Sequence, residues 1–224
     1  MNIAQRIAEI KESLPEDIKL VAVSKTKTSD IIMEAYGAGH KIFGENKVQE
    51  MVRKYEELPK DIEWHFIGHL QSNKVKYIVQ FVSMIHGIDS LKILKQVNKE
   101  AVKTGRMIPC LLQFHIARES AKFGLNENEA HQILRSDVFK EMKNVAITGV
   151  MGMATFTDDG SQVRSEFRSL KMIFDKLKNE YFFNNPEFRE ISMGMSDDYK
   201  IAIEEGSTIV RIGSNIFGSR DYHA

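Results

Sequence analysis

The sequence predicts a single-domain α/β fold over residues 1–224, a (β/α)8 TIM-type barrel with an extra N-terminal helix. Three observations carry that prediction. Eight short apolar runs alternate along the chain with amphipathic stretches of helical period. Most of the runs are nearly continuous in apolar residues rather than alternating, as in parallel strands covered on both faces. Neither a G-x-G-x-x-G turn nor a Walker loop follows the first run, which weakens the open doubly wound sheet, the structural alternative. A typical barrel of this kind takes about 250 residues, so a chain of 224 leaves little for a second domain.

The elements follow in order. MNIAQRIAEIKESLPED places Ile3, Ile7 and Ile10 at helical spacing and stops before Pro15, which gives the added helix; it has no apolar stretch of signal-peptide kind. The first strand is IKLVAVSK (18–25), followed by a helix in SDIIMEAYGAG (29–39). HKIFGEN (40–46) and KVQEMVRKYEEL (47–58) make the second strand and helix, IEWHFIG (62–68) and QSNKVKYIVQF (71–81) the third. VSMIHGID (82–89) precedes SLKILKQVNKEAVKTG (90–105), and MIPCLLQFHIA (107–117) precedes NENEAHQILRSDVF (126–139). The sixth unit is NVAITGVMGMA (144–154) with VRSEFRSLKMIFDKLKNEYF (163–182), the seventh FREISMG (188–194) with SDDYKIAIEEG (196–206). STIVRIGSNIFG (207–218) reads as the eighth strand. Several helices begin beside Ser, Asp or Asn and end beside Gly, in keeping with cap chemistry.

Composition removes several functions. Lys plus Arg equals Asp plus Glu, 31 against 31, so no overall basic field gathers nucleic acid or an anionic membrane. No stretch approaches the roughly 20 apolar residues of a membrane helix. One cysteine, Cys110, cannot form an internal disulfide or a thiolate cage, which points to the reducing cytoplasm.

In such barrels the C-terminal strand ends carry the active face. The polar residues there are Lys25, Glu45, Asn46, His65, His69, Asp89, His115, Ser192, Arg211 and Ser214. A metal site is not expected: the first strand offers no histidine pair, no HExxH helix exists, and the histidines read as hydrogen-bonded strand-end residues. A Ser-His-Asp hydrolase is less favoured still, because no G-x-S-x-G turn is present. SMGMSDD and RIGSN place glycine beside serine at the ends of strands seven and eight, where barrels often bind phosphate. Against this, Gly194 and Gly213 can simply make tight turns, Ser196 can cap a helix, and Asp197 and Asp198 would repel a phosphate. A strand-end lysine, a phosphate cradle and an arginine on the last strand are together the parts of a site for pyridoxal phosphate (PLP). That cofactor needs an amine for its aldehyde, donors for its phosphate and a partner for its ring nitrogen. Lys25 ends the apolar run; Lys27, the rival amine, falls in the loop.

With these residues the sequence resembles the pyridoxal phosphate homeostasis proteins over nearly its whole length. The likeness rests on LVAVSKTK around Lys25, FGENKVQE from Phe43, WHFIGHLQSNK from Trp64, ISMGMSDDYKIAI from Ile191 and STIVRIGSNIFGSRDY from Ser207. The resemblance implies a barrel like the N-terminal domain of alanine racemase, with PLP as a Schiff base on Lys25. It also implies Arg211 facing the pyridine nitrogen, Ser192, Gly194, Gly213 and Ser214 holding the phosphate, and Asn46 near the lysine end. Phe114-His115 stands where relatives tend to carry Val-Asn, and Lys122-Phe123-Gly124 fits the usual turn.

Two functions follow from the resemblance. One is a PLP carrier or buffer without rapid turnover, acting on amino-acid pools indirectly, with PLP-dependent apo-enzymes as candidate recipients. The alternative is an amino-acid racemase. Alanine racemase adds a β-domain and takes its second base from a partner subunit, whereas here six residues follow Gly218, with Tyr222 among them. The carrier is therefore expected, as a monomer. A barrel enzyme using Lys25 on a phosphorylated sugar is the third reading.

Overall fold

A computed structural model describes residues 2–119 and 123–218. Eight parallel strands close into a barrel in sequence order, each pairing with the next and β8 with β1. They are β1 (Lys19–Val23), β2 (Ile42–Glu45), β3 (Glu63–Phe66), β4 (Met84–Ile88), β5 (Ile108–Phe114), β6 (Val145–Gly152), β7 (Glu190–Ser192) and β8 (Ile209–Ile212). All eight lie inside the predicted runs. Around them pack α1 (Ile3–Ser13), α2 (Ser29–Gly37), α3 (Val48–Glu57), α4 (Val75–Ile78), α5 (Leu91–Thr104), α6 (Glu127–Arg135), α7 (Asp137–Lys140), α8 (Gly160–Tyr181), α9 (Tyr199–Glu204) and α10 (Ser214–Phe217). Among the described residues no helix is long and apolar enough to cross a membrane.

Three details differ from expectation. The eighth strand stops at Ile212 rather than running to Gly218. Its chain turns at Gly213, whose carbonyl accepts from the amides of Ile216 (3.0 Å) and Phe217 (2.9 Å) to start α10. The apolar pattern continues there because Ile216 and Phe217 are buried as helix residues. The helix expected over 126–139 is broken at Ser136, whose hydroxyl accepts from the Phe139 amide (3.2 Å) and restarts the chain as α7. The third helix is reduced to a 3₁₀ turn, Ser72–Lys74, and the single turn of α4.

Strand periodicity divides the core in two. Leu20 and Ala22 pack outward into the layer beneath the helices, whereas Val21 joins Met84, Leu111, Met151 and Ile209 inside the barrel. A bulge in β6 shifts the register between Cys110 and Leu111, leaving Thr148 without a partner on β5. Gly149 follows it at φ 157°, and a Cβ there would lie 1.8 Å from the Glu190 carbonyl oxygen. At the N-terminal end of the barrel Lys19 pairs with Glu190. α1 lies against α2 and α10, where Arg6 donates to the Ile216 carbonyl at 3.2 Å.

Candidate functional site

The same period of two that turns Val21 inward brings Val23 and then Lys25 to the inner side of the barrel. Past the strand, the Lys27 amide donates to the Ser24 carbonyl (3.0 Å) and closes a four-residue turn with Lys25 at its second position. A cavity of about 470 Å³ opens there, at the C-terminal ends of the strands, within the usual range for small-molecule sites. Lys25, Asn46, Arg211, Gly213 and Ser214 all line it. Ser192 and Gly194 do not. Ser192 is fully buried below Arg211, and Gly194 makes a turn at φ 92°, where a Cβ would come within 2.6 Å of the Ala202 Cβ. Lys27 also lines the cavity, so the structure brings both amines to it.

Arg211 forms part of the cavity floor and is almost wholly buried. Its Nη1 donates to Ser192 Oγ (2.5 Å) and its Nη2 to the Gly152 carbonyl (3.1 Å), using two of five guanidinium donors. Beneath it the chain continues from Ser192 Oγ to His86 Nδ1 (2.9 Å) and from His86 Nε2 to His65 Nδ1 (2.9 Å). Burial pushes His65 down to about 3 and His86 well below the usual imidazole value, with Lys19 and Arg211 adding repulsion. Burial also lowers Arg211, to about 10, against the pull of Asp198. At neutral pH the guanidinium is therefore charged and stands on two neutral imidazoles.

Past the end of β8, which pairs with β1, Ser196 Oγ accepts from the Gly213 amide (3.2 Å), and Asn215 Nδ2 donates to the Ser196 carbonyl (3.0 Å). Ser196 is thus not a helix cap; α9 starts later, with Asp198 at its N-cap position. Asp198 is turned onto the Met195 amide (2.5 Å), whereas Asp197 lines the cavity. Sequence reasoning undervalued Ser196 and missed Gln113. The signal for Gln113 was its spacing of two from Leu111, which puts an amide on the inner face of β5.

The histidines part company. His65 is buried inside the barrel, while His69 lines the cavity, bonded to Asp89 Oδ2 (2.9 Å) and stacked on Phe123 (3.9 Å between ring centroids). Among the described residues no group of three or more potential ligands could hold a metal ion. His115 is exposed, bonds the Glu119 carbonyl (2.7 Å) and is not part of the lining, so the Phe114-His115 departure falls outside the cavity. Lys122 and Tyr222 lie outside the described residues.

This donor set fits PLP. A cation, Arg211, and an amine, Lys25, line one cavity. Hydroxyl and amide groups of Ser196, Gly213 and Ser214 line the same cavity, and Val23, Ile67 and Met153 offer apolar surface for a ring. Gly213 lets the end of β8 pack closely on β1: a Cβ there would sit 3.3 Å from the Val23 carbonyl oxygen. A second cavity, about 480 Å³, lies at the other barrel end, where Lys19 and Lys41 are already paired with Glu190 and Asp61.

The family model for the alanine racemase N-terminal domain matches residues 1–221. Pyridoxal phosphate homeostasis proteins of Aquifex aeolicus and Homo sapiens are each 36% identical to the chain, over 99% and 98% of it and 100% and 85% of their own lengths. Solved structures of PipY from Synechococcus elongatus PCC7942, without PLP and with PLP bound, match with TM-scores of 0.90 and 0.87. Both are 32% identical and cover 97% of this chain and 100% of PipY. Alanine racemase of Clostridium difficile 630, at 15% identity and a TM-score of 0.75, shares the fold, and this chain covers 57% of it. The chain belongs to the pyridoxal phosphate homeostasis protein family, built on the alanine racemase N-terminal domain.

Proposed function

We propose that the protein binds pyridoxal 5'-phosphate and serves PLP homeostasis as a carrier or buffer, with the cofactor joined to Lys25 as a Schiff base. When bound, PLP supplies an aldehyde for amines and a ring that withdraws electrons. The chain's own residues do the rest. Arg211 offers a fixed donor to the ring nitrogen, and a guanidinium cannot give up its proton there, so the ring stays a weak electron sink. Ser192 acts one step back by holding Arg211, and Gly194 shapes the turn that leads to Ser196. Gly213 and Ser214, with Ser196, hold the phosphate, and Asn46 closes the lysine end. The reading extends to one domain over residues 1–224, a cytoplasmic monomer, and PLP-dependent apo-enzymes as recipients.

One observation carries the reading: Lys25 and Arg211 face a single cavity in a chain whose relative PipY has been solved with PLP bound. Titration with PLP, followed by visible absorption, tests it. The wild type develops a protein-bound band and Lys25→Ala does not; an equal band in both contradicts the assignment. A panel of amino acids assayed for racemisation separates carrier from enzyme, since turnover of about 1 per second or more belongs to a racemase.

A further inference from the structure

The turn that presents Lys25 is strained. Thr26 has φ 66° and is the one non-glycine residue with positive φ among those described. The left-handed region is unfavourable for L-residues and worse for a β-branched one, and this turn position normally takes glycine. Such a conformation persists where its surroundings over-determine it.

Those surroundings are a buried ion cluster. The Lys54 side chain on α3 is fully buried, and its ammonium donates to the Ser24 carbonyl (2.8 Å), Glu45 Oε1 (2.8 Å) and Glu50 Oε1 (2.7 Å). That uses all three of its donors. Ser24 Oγ donates to the same Glu45 oxygen (2.5 Å), and the Thr26 amide donates to the same Glu50 oxygen (2.6 Å). The carbonyl before Lys25 and the amide after it therefore both end on one cluster. None of Glu45, Glu50 and Lys54 lines the cavity. If filling space were the whole purpose, apolar side chains would do as well or better than a buried ion pair. Here the hydrogen bonds converge on the turn.

We propose that Glu45, Glu50 and Lys54 are positioning residues that clamp the Ser24–Lys27 turn in its left-handed form and so aim Lys25 into the cavity. The proposal rests on Lys25 being the PLP anchor. It predicts a specific pattern among variants of Glu50, whose side chain is 15% exposed and whose loss leaves the Lys54–Glu45 pair in place. Glu50→Ala binds PLP about tenfold more weakly in the visible titration, the scale of one strained residue released. In the PLP-free protein its Thr26 amide exchanges faster, while far-UV circular dichroism is unchanged. Glu50→Gln, which keeps an acceptor for Thr26, stays near wild type. Thr26→Gly in the Glu50→Ala background restores affinity, because glycine takes φ 66° without penalty. Wild-type affinity and exchange in Glu50→Ala, or a loss that neither second variant avoids, overturns the proposal. Peptide mapping of the reduced wild-type adduct keeps the two ideas apart. An adduct away from Lys25 sinks the anchor assignment, whereas an adduct on Lys25 with an indifferent Glu50→Ala sinks only the clamp.

Discussion

Lowering the pH should destabilise this fold well before its carboxylates titrate. His40, His65 and His86 are buried, and burial lowers all three, His40 to about 4 and His65 to about 3. In the unfolded chain each returns to about 6.5. Below that value the unfolded state binds protons that the folded state refuses, so stability falls with pH, at about 1.4 kcal/mol per pH unit for each histidine. Between pH 8 and pH 5.5 each contributes a loss of about 1.4 kcal/mol, and the three together about 4, against a usual total of about 5–15 kcal/mol. Glu45 works in the opposite direction, since burial raises its carboxyl; the comparison is therefore made by difference. His40 lies outside the cavity near Lys25, edge-on to Phe43 (5.5 Å), and His40→Phe removes its share alone. Urea unfolding followed through Trp64, the single tryptophan and fully buried, provides the assay. The loss of stability from pH 8 to 5.5 should be smaller in His40→Phe by about 1.4 kcal/mol. An identical loss in both proteins refutes the argument that burial keeps His40 neutral.

Two further predictions follow from the core. Cys110 is fully buried and its thiol is pushed up by burial, so thiol reagents should leave the native protein unlabelled and react in denaturant; prompt native labelling contradicts this. Gly149→Ala would drive a Cβ into the Glu190 backbone at 1.8 Å and break the β6–β7 pairing. It should cost roughly 4 kcal/mol and lower the melting temperature by roughly 10 °C; a fall of under about 3 °C contradicts it.

The barrel was legible because buried parallel strands write themselves as apolar runs, and all eight were found. What the pattern could not show was where a run changes state. Ile216 and Phe217 continue the apolar character of β8 although they belong to α10. Ser136 inside a helical pattern hides a break that only its hydroxyl bond to Phe139 reveals. At the site, Lys25 stood out as a charge at the end of an apolar run and Arg211 as a charge within one. Ser196 and Gln113 did not, because their meaning comes from loops and strands brought together by barrel closure. The ion cluster behind the lysine was invisible for another reason: Glu50 and Lys54 look like an ordinary i,i+4 surface pair, and nothing local says that Lys54 is wholly buried. The His65–His86–Ser192 chain spans separations of 21 and 106 residues, beyond the reach of any local pattern.

The central claim is that Lys25, rather than Lys27 beside it, anchors the cofactor. Borohydride reduction of the PLP-loaded protein, followed by proteolysis and fragment mass spectrometry, reads this directly. A PLP-sized mass on Lys25, absent from Lys25→Ala, is the predicted result. An unmodified Lys25 with the mass on Lys27 or elsewhere would contradict the account.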